Sequence, residues 1–122
     1  VERIKKPNKY RNIKTTIFLD GVEYKCDSKK EGKRLIELHQ LAKQGKITEL
    51  TVQPEFILQN SYKYNGKTIR SIKYISDFKY VQDGKVIIED VKSPITLKNP
   101  VYLLKKKLFL KKYGEQITFI ET

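Results

Sequence analysis

Apolar residues fall at no regular interval over residues 1–14, and ordered patterns begin only after them. Residues 16–19 and 22–26 are short β-type runs flanking Asp20-Gly21, a two-residue hairpin signal. The period then changes. Leu35, Leu38 and Ala42, reinforced by Ile36 and Leu41, form the apolar stripe of a helix over residues 28–44, which Ser28 opens and Gly45 stops. Residues 50–58 read as a strand in which Pro54 marks an edge or a bulge. Tyr64-Asn65-Gly66-Lys67 is another hairpin turn, leading into a long strand over residues 69–81 and its partner over residues 85–92. Asn99 caps a helix with Pro100 at its first position, running through Leu104 and Leu108 to Tyr113-Gly114. A last strand covers residues 116–121, and no repeat or low-complexity tract interrupts the pattern.

The hairpin "SDFKYVQDGKVIIEDVKSP" departs from ordinary strand patterning. An Asp83-Gly84 type I′ turn makes Gln82 face Lys85, and in that register Asp77 lies opposite Asp90 and Ile75 opposite Lys92. Side chains alternate, so Asp77, Asp90 and Lys92 share one face while Glu89 and Val91 point to the other. Like charges directly opposed destabilise a sheet by up to about 1 kcal/mol, so the pair calls for a cation or a task. Val81, Val86 and Ile88 on the same face argue that it is at least half buried rather than a solvated surface.

The chain of 122 residues suits a single domain, here residues 15–122 behind a basic arm of residues 1–14. No apolar run approaches the roughly 18 residues of a membrane span, and no secretory leader is visible. The lone Cys26 excludes an internal disulfide and a cysteine-built zinc site, fits a cytoplasmic location, and reads as a small hydrophobe. Charge changes the picture most: 26 Lys and Arg against 14 Asp and Glu leave +12, which points to nucleic acid as partner. The basic residues cluster. Arg3, Lys5, Lys6, Lys9, Arg11 and Lys14 form the arm, and Lys105, Lys106, Lys107, Lys111 and Lys112 crowd the second helix. A phosphate backbone rewards such clusters through counterion release, whereas the plainer reading of the helical lysines is a solvated face. Tyr10, Tyr62, Tyr64 and Tyr102 could stack on exposed bases, although tyrosines in strands usually pack.

With helix, three antiparallel strands, helix and strand in that order, Asp77 ending one central strand and Asp90-Val91-Lys92 in the next, the sequence resembles the PD-(D/E)XK nuclease superfamily. Ser28-Lys29-Lys30-Glu31, "LTVQPEFIL", "YISDFKY" and "IIEDVKS" are similar to segments of small phage-encoded nucleases, transposon end-cleaving endonuclease subunits and, more distantly, archaeal-type Holliday junction resolvases. The resemblance covers residues 26–122, and the proline of the family name is replaced by Ser76. It implies an α/β, restriction-endonuclease-like αβββαβ core with a mixed central sheet flanked by helices. It further implies a Mg²⁺-dependent DNA endonuclease, with Mn²⁺ as a substitute, leaving 5′-phosphate and 3′-hydroxyl ends on branched or junction DNA in phage replication or recombination. The location implied is the cytoplasm of a bacterial host, the partner DNA and not a membrane, with a homodimer left open. Two alternatives stay open as well, a non-catalytic DNA-binding module on the same fold and a subunit active only within a recombination or transposition complex.

The chemistry fits those residues. Hard Mg²⁺ prefers carboxylate oxygens, so Asp77 and Asp90 supply two ligands, and Lys92 is placed to orient water or to stabilise the transition state. In the resembling families a first-helix glutamate completes the metal shell, which assigns Glu31 that role. Ser28-x-x-Glu31 is equally a capping box, in which the glutamate only satisfies a backbone N–H. Glu89 is expected on the wrong face, Gln53 could touch DNA or a neighbouring strand, and the lone His39 reads as a surface or core residue rather than a base.

Overall fold

The computed structural model describes residues 14–122; the arm residues Lys5, Lys6, Lys9 and Arg11, and Tyr10, lie outside the described residues. A first hairpin pairs β1 (Thr15–Leu19) with β2 (Val22–Cys26), and helix α1 (Lys29–Lys43) follows. Next come β3 (Thr48–Val52), β4 (Glu55–Gln59), β5 (Tyr62–Tyr64), β6 (Lys67–Ile69), β7 (Ile72–Ile75), β8 (Phe78–Gln82) and β9 (Lys85–Asp90). The chain ends with α2 (Pro94–Leu97), α3 (Pro100–Tyr113) and β10 (Thr118–Glu121). Each expected Asx-Gly turn forms. Asp20-Gly21, Asn65-Gly66 and Asp83-Gly84 all have positive φ at both positions, as a type I′ loop requires and as a β-branched residue would resist.

The central sheet has the order β10-β9-β8-β3, with β9 antiparallel to β8, β8 antiparallel to β3, and β10 parallel to β9. A parallel pair needs a crossover, which α2 and α3 supply. Alternation along β9 divides the core into two. Ile87 joins Phe78, Tyr80, Leu35 and Leu38 beneath α1, whereas Ile88 joins Tyr74, Tyr102 and Phe109 beneath α3. The molecule is therefore mixed α/β, a sheet covered by helices on both faces. Among the described residues no helix is long and apolar enough to cross a membrane.

Several expectations need correction. The strand expected over residues 50–58 is two strands, β3 and β4, and the one over residues 69–81 is three, β6, β7 and β8. The breaks at Gln53-Pro54 and Ser76-Asp77 lie side by side: Gln53 N–H donates to Asp77 O at 2.8 Å and Ser76 N–H to Pro54 O at 3.2 Å. Pro54 has no N–H to continue the ladder, and Gln53 turns left-handed at φ 54°, so the ribbon bends there. The bend carries the β4–β7 pair onto the α3 side, where Phe56 and Tyr74 meet Phe109 at 4.9 and 4.7 Å between ring centroids. In α3 the buried side chains are Tyr102 and Phe109, while Leu104 and Leu108 are exposed. Ile36 is likewise exposed, so the buried stripe of α1 is Leu35 and Leu38. Strand β9 stops at Asp90, not at residue 92, although Lys92 N–H still reaches Thr122 O at 2.9 Å.

Candidate functional site

The N-terminus of α1, the bend before β8 and the end of β9 converge on one cavity of about 260 Å³. Asp27, Ser28, Lys30, Glu31, Asp77 and Lys92 are among the residues lining it. Ser28 caps the helix, its Oγ accepting from Glu31 N–H at 3.1 Å. Glu31 answers one residue upstream of the usual capping box: its Oε2 accepts from Asp27 N–H at 3.1 Å. Its Oε1 is buried with no hydrogen-bond partner. Burial, then the charge of Asp77, pushes the Glu31 carboxyl up to about 7. An orphaned carboxylate oxygen beside a second acid is costly unless a proton or a cation sits there.

The hairpin register is the expected one from Gln82 opposite Lys85 through Phe78 opposite Glu89, but the expected Ile75–Lys92 pair does not form, since β9 stops at Asp90 and Ile75 pairs with Glu55 of β4. The two aspartates beyond it are not left to repel each other. Asp77 N–H donates to Asp90 Oδ1 at 3.0 Å, and Val91 N–H donates to Asp77 Oδ2 at 2.7 Å. Asp90 Oδ2 also accepts from the Tyr74 hydroxyl, which the bent β7 delivers. Burial raises both carboxyls above the usual range, against the lowering effects of the Val91 N–H on Asp77 and of Lys92 on each. Their placements differ, however. Asp77 lines the cavity with Glu31, whereas Asp90 is wholly buried behind it. Among the described residues no three His, Cys, Asp or Glu side chains are arranged together to hold a metal ion.

Lys92 stands on the wall between this cavity and a second one of about 330 Å³, which Tyr74, Tyr102, Lys73 and Lys105 also line. Its ammonium lies 4.5 Å from the centroid of the Tyr102 ring, and its carbonyl accepts from Lys30 Nζ at 3.1 Å.

Glu89 points away from the aspartates, as alternation requires, but it is not idle. It is fully buried; Arg34 Nε and Nη2 donate to it at 2.6 and 3.0 Å, Tyr80 OH at 2.6 Å and Thr122 Oγ1 at 3.1 Å. Burial, then the hydrogen bond to Glu89, pushes the Tyr80 hydroxyl up to about 12. The signal in the sequence is that Arg34 sits one turn after Glu31, but it becomes legible only once α1 is known to cover that face of β9.

The remaining candidates are dispersed. Lys14, Lys107 and Lys111 are exposed. Lys106 pairs with Glu121 at 2.6 Å, Lys112 Nζ donates to Ile57 O at 2.8 Å, and Lys105 lines the second cavity. Gln53 Nε2 donates to Lys25 O at 3.3 Å, and His39 Nε2 lies 3.2 Å from Asp20 Oδ2, well along α1 from Glu31. Cys26 is buried, and its thiol is pushed up to about 11 by burial and then by Glu31.

The chain thus combines a mixed sheet between two helices with an acid-lined cavity at one strand end. Residues 7–121 match the model of a family described as protein of unknown function (DUF1064), and the chain belongs to that family. No curated protein matches it.

Proposed function

We propose that the chain is a Mg²⁺-dependent endonuclease of the PD-(D/E)XK type that hydrolyses DNA phosphodiesters, directed to branched or junction DNA in phage replication or recombination. The observation that carries this reading is the unpartnered, buried Glu31 Oε1 beside Asp77 in a cavity rimmed by Lys30 and Lys92. Two hard oxygen donors held together against their own repulsion suit a hard divalent cation better than a soft one. Glu31 and Asp77 would hold the ion, and Asp90 would join them after its carboxylate turns from Tyr74. When bound, Mg²⁺ supplies positive charge against the scissile phosphate and favours deprotonation of the attacking water.

The chain's own residues do the rest. Lys92, anchored over Tyr102, offers an ammonium to the negative charge that develops on the phosphate. Lys30 and Lys105 frame the two mouths on either side of Lys92 and suit the flanking phosphates. The element order, the sheet order and the covering of both faces support the restriction-endonuclease-like core.

A second reading has its own observation. Asp90 is buried and bonded to Asp77 N–H and Tyr74 OH, as a purely structural acid would be, which favours a DNA-binding module without turnover. Labelled linear, flapped, forked and four-way-junction DNA, incubated with Mg²⁺, Mn²⁺ or EDTA, separates the two. The endonuclease cuts a branched substrate with either metal, not in EDTA, and not as Asp77→Asn. Binding without cutting under every condition favours the module.

A further inference from the structure

Strands β5 and β6 form a two-stranded sheet of their own beyond the β4–β7 pair. Every residue from 60 to 70 is exposed. An isolated hairpin of this kind is at best marginally stable in water, and packing does not account for its side chains. The register pairs Tyr62 with Ile69 and Tyr64 with Lys67 on one face, and Lys63 with Thr68 on the other. Tyr62, Tyr64 and Ile69 are 49%, 66% and 38% exposed, so the ribbon shows solvent an aromatic face with Lys67 beside the rings. Charge adds a second signal. Residues 56–76 hold Lys63, Lys67, Arg70 and Lys73 and no Asp or Glu, in a chain with 14 acids elsewhere. Of these cations, Lys73 is paired with Glu55 at 3.3 Å.

We infer that the β5–β6 ribbon binds unpaired bases of single-stranded or branched DNA, Tyr62 and Tyr64 stacking on the bases while Lys67, on the same face, and Arg70, just beyond β6, meet the phosphates. The inference rests on the DNA-directed reading above and deepens it by naming the part that recognises substrate shape. Side chains two apart on a strand are separated by about 6.8 Å, twice the roughly 3.4 Å spacing of stacked bases. One splayed base therefore fits between the two rings. Fully paired bases keep their faces covered, so the ribbon favours open DNA over duplex. Strand β7 runs from the ribbon to Ser76-Asp77, and the eight residue-to-residue steps from Ile69 to Asp77 span no more than about 29 Å. An opened base on the ribbon and a phosphate in the cavity thus lie within about one duplex turn.

The test uses the full chain in EDTA, with a forked DNA whose unpaired arm carries 2-aminopurine and a blunt duplex of the same length. Wild type binds the fork more tightly and quenches the 2-aminopurine. The pair Tyr62→Ala and Tyr64→Ala weakens fork binding about tenfold or more and abolishes the quench, with duplex binding within about twofold of wild type. The pair Tyr62→Phe and Tyr64→Phe keeps both rings and behaves as wild type. No fork preference in wild type, fork binding unaffected by the alanine pair, or a loss shared by the phenylalanine pair overturns the inference. Adding Mg²⁺ to the same DNA scores the nuclease reading separately. Tyrosine-dependent fork binding without cutting overturns that reading and leaves the ribbon, and cutting with tyrosine-independent binding does the reverse.

Discussion

Glu89 and Glu31 are both buried acids near the end of β9, and they are solved in opposite ways. Around Glu89 each carboxylate oxygen accepts at least one donor from Arg34, Tyr80 or Thr122. Glu31 has one oxygen on the Asp27 amide and one buried with no partner, and it lines a cavity together with Asp77. The first is a closed ionic network that ties α1 to the sheet. The second leaves one buried carboxylate oxygen unmet beside a cavity, which is what a site for a cation and a phosphate needs and a structural pair does not. Burial alone does not tell the two apart; the donor count does.

The largest effect should come from opening the closed network. Glu89→Gln removes the buried counter-charge of the Arg34 guanidinium and leaves it only the exposed Glu37, 3.0 Å away, and urea unfolding at pH 7 should show a loss of about 3 kcal/mol. This substitution therefore perturbs the fold as well as the charge next to Asp90.

The open site should respond to pH in the opposite sense to an ordinary salt-bridged acid. Glu31 titrates near 7 in the fold against 4.5 for an unperturbed glutamate, so the folded state binds its proton more tightly than the unfolded chain. Its contribution to stability is complete below about pH 4.5 and fades as pH rises through about 7. In EDTA, melting temperatures measured from pH 4.5 to 8 should fall across that window for wild type. The fall should be shallower for Glu31→Gln, with Asp77 supplying a remaining part.

Smaller changes sharpen the contrast. Tyr80→Phe removes one of the donors to Glu89 and should cost about 1–2 kcal/mol by urea unfolding without altering the response to Mg²⁺. Ser28→Ala should cost about 1 kcal/mol through the lost cap, again leaving the metal response in place. If Ser28→Ala also erased the metal response, the orientation of Glu31 would depend on the cap, and the two roles weighed for this residue would be one.

Local chemistry made much of this legible. The three Asx-Gly turns, the Ser28 and Asn99 caps and the alternation that separates Glu89 from Asp90 can be read from sequence neighbours, because each is decided within a few residues. Pro54 marks the first break only as an edge or a bulge, and the break at Ser76-Asp77 carries no such mark. Each half of those strands has its own partner, β3 with β8 and β4 with β7, and which half turns onto α3 is settled by packing around Phe109. For the same reason Tyr74, distant from Asp90 in sequence, was not visible as the donor that covers it. The lysines of α3 illustrate a further limit. Composition groups five of them, but the tertiary positions of Glu121 and Ile57 commit Lys106 and Lys112 to internal bonds.

The central claim is that the open acid pair is a cation site, and thermal unfolding during a Mg²⁺ titration at pH 7.5 tests it most directly. A ligand that binds the folded site and not the unfolded chain raises the melting temperature with concentration. Wild type should show that rise, Glu89→Gln should show it from a lower starting point, and Asp77→Asn should show little or none. A wild-type melting temperature that ignores Mg²⁺ and Mn²⁺, or an equal rise in Asp77→Asn, would contradict the account.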